Sequence, residues 1–134
     1  EKVGLVIHAG DLVAPFAAKE LRKIKSQFVA VFGNNDGERL GLARILGDEI
    51  HEAPYQLKIK ELKILVCHEP YALAALKQSG FYDAIIYGHT HEVDVQKNGP
   101  SLIINPGECG GWVNQRSTVA IWDTESSDVE IIEI

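Results

Sequence analysis

The chain has 134 residues, 46% apolar and 24% charged, with a net charge of −6. Those values describe one globular domain long enough to bury a core. The acidic balance argues against a long nucleic-acid partner, because non-specific binding there depends on neutralising phosphates; a small phosphorylated substrate held at a local cation remains compatible with it. No apolar run reaches the length a bilayer requires, and no signal-peptide pattern opens the chain. The two cysteines, Cys67 and Cys109, do not make a disulfide framework, so a cytoplasmic setting without a membrane is expected.

In chain order, "VGLVIHAGD" (3–11) reads as a buried strand ending in a Gly-Asp turn. "APFAAKELRKIK" (14–25) follows with Phe16, Ala17, Leu21 and Ile24 at helical spacing. "QFVAVFGNND" (27–36) is a second strand that stops at Gly33, and "GERLGLARILGD" (37–48) a second, weaker helix, interrupted by Gly41. "YQLKIK" (55–60) and "KILVC" (63–67) form a hairpin about Glu61 and Leu62. "EPYALAALKQSG" (69–80) reads as a helix with proline early and glycine at its end. Strands at 83–88, 101–107, 117–123 and 128–134 complete the chain. Strand and helix alternate first and strands dominate later, which fits a layered α/β fold with more than one sheet.

Asp11, Asn34, His68 and His89 each fall just after the C-terminal end of an apolar strand. In open α/β sheets ligands bind at that edge. His89 and His91, two of five histidines, are one residue apart in "GHTH". In extended backbone that spacing aims both rings to one side, as metal ligands are aimed. Each feature has an ordinary alternative: a Gly-Asp or Gly-Asn-Asn turn, a helix-capping His68. Their joint occurrence points to a metal centre.

The ordered set "GD", "GNND", "CHEP" and "GHTH" resembles the calcineurin-like metallophosphoesterase family, and with "INPGE" its small prokaryotic phosphodiesterase branch. The resemblance implies a four-layer αββα sandwich with two mixed β-sheets. It also implies two divalent metals joined by a carboxylate and a bridging hydroxide that attacks the phosphodiester. On that likeness Asp11 is the bridging carboxylate, Asn34, His68 and His89 hold one ion, and His91 holds the other. Imidazole and oxygen ligands suit Mn, with Ni, Fe, Zn or Co as alternatives. Two such ions activate water and neutralise phosphate oxygens.

The family's Asp-x-His motif, which supplies two ligands to the second ion, has no counterpart in the sequence. The chain also starts at Glu1 and contains no methionine. Both features lead to the expectation of a single domain over 1–134 that lacks its first strand and helix, and of a chain inactive as written. Where relatives carry a leaving-group histidine after the metal-binding Asn, this chain has Asn35; where they carry His-Gly-His, it has His68-Glu69-Pro70. Without a strong general acid, good leaving groups should be preferred.

His8 reads either as a partner orienting Asp11 or as a packed strand histidine. His51 is expected on the surface without company, Cys109 as a buried thiol, and Asn105-Pro106-Gly107-Glu108 as a turn shaping the rim of the site. The leading reading is a metal-dependent phosphodiesterase acting on small phosphodiesters; a homo-oligomer is compatible with it. The alternative is a non-catalytic scaffold of the same fold that binds protein partners, like a subunit of the retromer coat. A structural single-metal site is weaker, since such sites are usually closed by four Cys or His ligands.

Overall fold

A computed structural model describes residues 3–134. Strands β1 (Leu5–His8), β2 (Gln27–Val31) and β3 (Ile50–His51) form a wholly parallel sheet in that order. Strands β4 (Tyr55–Ile59), β5 (Leu62–Val66), β6 (Ala84–Ile86), β7 (Val93–Gln96) and β8 (Leu102–Pro106) form a mixed sheet in the order β4-β5-β6-β8-β7. Within it β5, β6 and β8 run parallel, and β4 and β7 are antiparallel edges. Strands β9 (Thr118–Trp122) and β10 (Val129–Glu133) make a separate antiparallel pair.

Three apolar cores show how the layers stack. Helices α1 (Pro15–Leu21) and α2 (Arg39–Leu46) cover the first sheet through Ala18, Leu42 and Leu46 against Phe28 and Ala30. The next residue of β2, Val31, points the other way, into a core shared with Ile64, Val66, Ala84, Ile86 and Ile104 of the second sheet. Ala120, Trp122 and Val129 of the β9–β10 pair pack on that same core. Alternate residues Leu65, Ile85 and Ile103 face outward under Leu73 and Leu76 of helix α3 (Leu73–Ser79). Helices, sheet, sheet, helix is the four-layer sandwich. Strands buried on both faces read as continuous apolar runs rather than alternations.

Several elements depart from the sequence-based expectation. Helix α1 stops at Leu21, Phe16 is 74% exposed, and the small Ala18 is buried in its place. A Cβ at Gly41 would overlap the ring of Pro15, so this glycine lets α2 close onto α1. Helix α3 begins only at Leu73, after Ala72 in left-handed backbone. The β4–β5 turn falls one residue early, at Lys60 and Glu61, with Leu62 inside the strand. Neither β3 nor β7 was expected; two and four residues carry too little pattern to be seen.

Candidate metal centre

Strands β1, β2, β5 and β6 all deliver their C-terminal ends to one edge between the sheets. There His68 Nε2 lies 2.7 Å from Asn34 Oδ1, 3.2 Å from His89 Nδ1 and 3.4 Å from Asp11 Oδ2, and His89 Nδ1 lies 3.0 Å from Asn34 Oδ1. Four of the five residues named from the sequence therefore meet at a point. A Cβ on Gly33 would overlap the Asp11 carboxylate and backbone, so the "GNN" loop reaches Asp11 only through glycine.

Hydrogen bonding fixes the protons. His68 Nδ1 is 2.8 Å from the carbonyl oxygen of Ala9, which only accepts, so Nδ1 carries the hydrogen and Nε2 presents a bare lone pair. That lone pair faces the amide oxygen of Asn34 and the carboxylate of Asp11, both acceptors. One proton on His89 Nδ1 cannot satisfy them all. An ion bound at about 2.1 Å sets its neighbouring ligand atoms about 3.0–3.4 Å apart, close to the separations found. Among the described residues no three His, Cys, Asp or Glu side chains suffice by themselves to hold an ion; the Asn34 oxygen completes the set. The donor set fits a divalent transition-metal ion.

His91 stands apart. It and His89 are not on a strand: both lie in the loop after β6 with φ of 60° and 66°, in left-handed backbone. The expectation that a strand pleat aims both rings to one side is therefore wrong. His89 turns to Asn34 and His68, whereas His91 Nδ1 is buried without a hydrogen-bond partner, 3.4 Å from Glu108 Oε2.

The residues that hold these loops gave little signal in the sequence. Buried Asp36 accepts the N–H of Gly33 (2.7 Å), Asp11 (3.1 Å) and Val13 (2.7 Å), clamping the metal-site end of β1 to that of β2. Val13, β-branched at φ 68°, is strained there. Asn35 donates from its N–H to Asp11 Oδ1 at 2.8 Å and from its amide to Oδ2 at 2.9 Å, so it orients the carboxylate. Fully buried Asn105 donates to Gly88 O and Thr90 Oγ1, both at 3.0 Å, bracketing His89. Glu108 accepts the N–H of Trp112 (2.6 Å) and Val113 (2.9 Å), and Asn114 donates to His91 O at 2.7 Å. Burial works to raise the Glu108 carboxyl, but those two N–H donors and His91 outweigh it and hold it below its ordinary value. The 105–108 turn thus shapes the rim of the site, as expected from the sequence.

The remaining histidines and cysteines sort differently. His8 makes no hydrogen bond to Asp11; its Nδ1 is buried and unpartnered, and burial pushes its pKa down against the pull of Asp36 and Asp11. His51 has company after all, stacked on Tyr55 at 3.7 Å and half-buried. Contrary to expectation Cys109 is exposed, in a loop whose apolar side chains Trp112 and Val113 are themselves exposed; Cys67 is the buried thiol.

An αββα sandwich with metal-capable side chains gathered at the edge between its two sheets has the metallophosphoesterase fold. The model of the calcineurin-like phosphoesterase superfamily domain matches residues 1–127. A curated phosphodiesterase of Methanocaldococcus jannaschii is 39% identical over 134 residues, covering 96% of this chain and 81% of the relative. The solved structure of an archaeal phosphodiesterase superposes with a TM-score of 0.89 at 37% identity, covering 98% of this chain and 84% of that one. Vacuolar protein sorting 29 of Cryptosporidium parvum, at 16% identity and a TM-score of 0.67 over 100% of this chain and 82% of its own, shares the fold alone. The chain belongs to the calcineurin-like phosphoesterase superfamily. It is a phosphoesterase domain of a class that works with divalent metal ions.

Proposed function

We propose, against the expectation of an inactive chain, that it is a phosphodiesterase domain that hydrolyses small phosphodiesters with two divalent transition-metal ions, manganese foremost; Asp11, Asn34, His68 and His89 come together without an Asp-x-His motif. The observation that carries this reading is the convergence of Asn34 Oδ1, His89 Nδ1 and Asp11 Oδ2 on the lone pair of His68 Nε2. The two ions, when bound, supply an activated water and neutralise the phosphate oxygens for in-line attack.

The chain's own residues do the rest. Asn34, His68 and His89 would hold one ion. Asp11, whose carboxylate Asn35 orients, would serve both ions. His91, with Glu108 beside its ring, would serve the other. The neutral Asn34 ligand keeps net positive charge for an anionic substrate. No acidic side chain stands where Asn35 does, so the leaving group departs without protonation from that position. Aryl phosphodiesters should therefore turn over much faster than alkyl ones. Two unpaired cysteines suit a reducing compartment such as the cytoplasm.

The test is removal and return of the metal. Chelation should abolish hydrolysis of bis(4-nitrophenyl) phosphate and Mn²⁺ should restore it, with dialkyl phosphates far slower. A folded, manganese-loaded protein that cleaves no phosphodiester would overturn the reading in favour of the scaffold.

A further inference from the structure

A cavity of about 660 Å³ opens directly off the Asn34–His68 side of the centre, and both ligands form part of its wall. Its other walls come from Phe32, Pro54, Leu65, Cys67, Leu76 and Tyr82. It runs from the end of β2, past the start of β4, along β5 to α3. The volume lies in the range of small-molecule sites. No lysine or arginine lines it, and its one carboxylate is Glu69, immediately after the ligand His68. A phosphodiester whose phosphorus sits at the metal centre must send its two ester arms outward, and this cavity is the space beside the two ligands.

Resting on the phosphodiesterase reading, we infer that this cavity receives one ester arm of the substrate and selects an uncharged, apolar or aromatic group. Three features converge. Apolar side chains stabilise such an arm by taking its surface out of water. A second anionic group would lose hydration with no cation to replace it. Glu69 would also repel it at the mouth. The enzyme therefore rejects phosphodiesters that carry a further phosphate or carboxylate on that arm, although its metal centre attracts anions. Gln56, exposed on edge strand β4, is the polar residue of the wall best placed to change the rule without disturbing the core.

The experiment compares three diesters with one leaving group, 4-nitrophenyl, and a second arm of phenyl, ethyl or 2-carboxyethyl, on the manganese-loaded protein. The phenyl diester should exceed the carboxyethyl diester by at least about tenfold in kcat/KM, the scale on which apolar pockets discriminate. Gln56→Arg should narrow that gap by improving the carboxyethyl substrate relative to the phenyl one. In parallel, diphenyl phosphate added to metal-free protein should shift the amide NMR signals of Cys67, Tyr71 and Leu76, and diethyl phosphate should not. Equal rates for the three arms, or faster turnover of the carboxyethyl diester, would overturn the inference and leave the phosphodiesterase reading standing. Selective NMR shifts without hydrolysis of any diester would overturn that reading and leave the cavity assignment standing. Shifts elsewhere, or none, would overturn the assignment.

Discussion

The two halves of the centre are built to different standards. Around Asn34, His68 and His89, donor atoms lie within 3.2 Å of one another, His68 is buried, and Asp36 and Asn105 lock the loops behind them. Around His91 there is one histidine, one carboxylate 3.4 Å away, and a loop that exposes Trp112 (89%) and Val113 (63%). The first half is pre-organised, so the positions of its ligands are set during folding. The second, on the proposed reading, would have two donors from this chain, Asp11 and His91, and its loop is held by hydrogen bonds from Glu108 and Asn114. Metal affinity should divide the same way, tight at the first position and weak at the second.

The largest effect should come from breaking the tight half. Asn34→Ala and His89→Ala should each reduce metal-dependent hydrolysis by at least about a hundredfold, since losing even a supporting contact to a ligand costs about 10–100-fold. A stability measurement separates this from unfolding. Crowded lone pairs repel in the metal-free protein, so either variant should melt no lower than wild type after chelation. What it should lose is the metal-induced gain, about 2.7 kcal/mol when the ion is present at a hundred times its Kd. A variant that keeps the full gain would show that the ion does not sit there.

Asp36→Ala tests whether the loops themselves are the foundation. Three backbone N–H groups lose a buried carboxylate acceptor at once, and unsatisfied buried donors cost about 1–3 kcal/mol each, so a loss of about 3 kcal/mol or more is expected in urea unfolding. On the proposed reading, in which Asp11 serves both ions, metal binding in both halves should weaken together. An unchanged midpoint would mean that the strained segment at Asp11 and Val13 is held by something else.

How much of this was legible beforehand follows from where each signal lies. Asp11, Asn34, His68 and His89 could be read because each ends an apolar strand, and strand ends of parallel runs share an edge. A layered α/β fold with more than one sheet was legible too, from strand and helix alternating first and strands dominating later; the four layers followed only from the family resemblance. Asp36 was hidden inside "GNND", where an acid in a turn is unremarked, and Glu108 inside "INPGE". Their roles exist only once backbone N–H groups from distant segments point at them, which no local pattern encodes. The geometry of His89 and His91 was misread for a related reason: left-handed backbone at a histidine leaves no trace in the sequence, unlike a glycine. Phe16 misled because helical spacing grouped it with Leu21, whereas the contact of α1 with α2 at Pro15 and Gly41 turns Ala18 and Leu21 inward and leaves Phe16 outside.

Glu108→Gln sharpens the comparison by touching only the sparse half. The amide can still accept from one N–H, so the loop should stay folded, but the charge beside His91 is lost. Affinity at the second metal position should fall by about tenfold, the lower end of the range for supporting contacts. The first position should be unchanged. Calorimetric titration with Mn²⁺ should then resolve two binding steps of which only the weaker one moves. Equal weakening of both would mean that the halves are coupled more tightly than their contacts indicate.

The smallest effect concerns His8, which lies behind the tight half on β1. Burial depresses its pKa below 6.5, so above that value it is neutral in both the folded and the unfolded chain. As the pH falls through 6.5 the unfolded chain takes up a proton that the folded chain resists. Stability is therefore full above pH 6.5 and is lost progressively below it, down to the depressed folded value. His8→Leu should flatten the stability profile between pH 7 and 5, measured by urea midpoints of metal-free protein, with little change at pH 8. The protein is kept metal-free because metal binding is itself pH-dependent and would impose a slope of its own. A slope that survives the substitution unchanged in the metal-free protein would place the pH-sensitive group elsewhere, among the ligands rather than behind them.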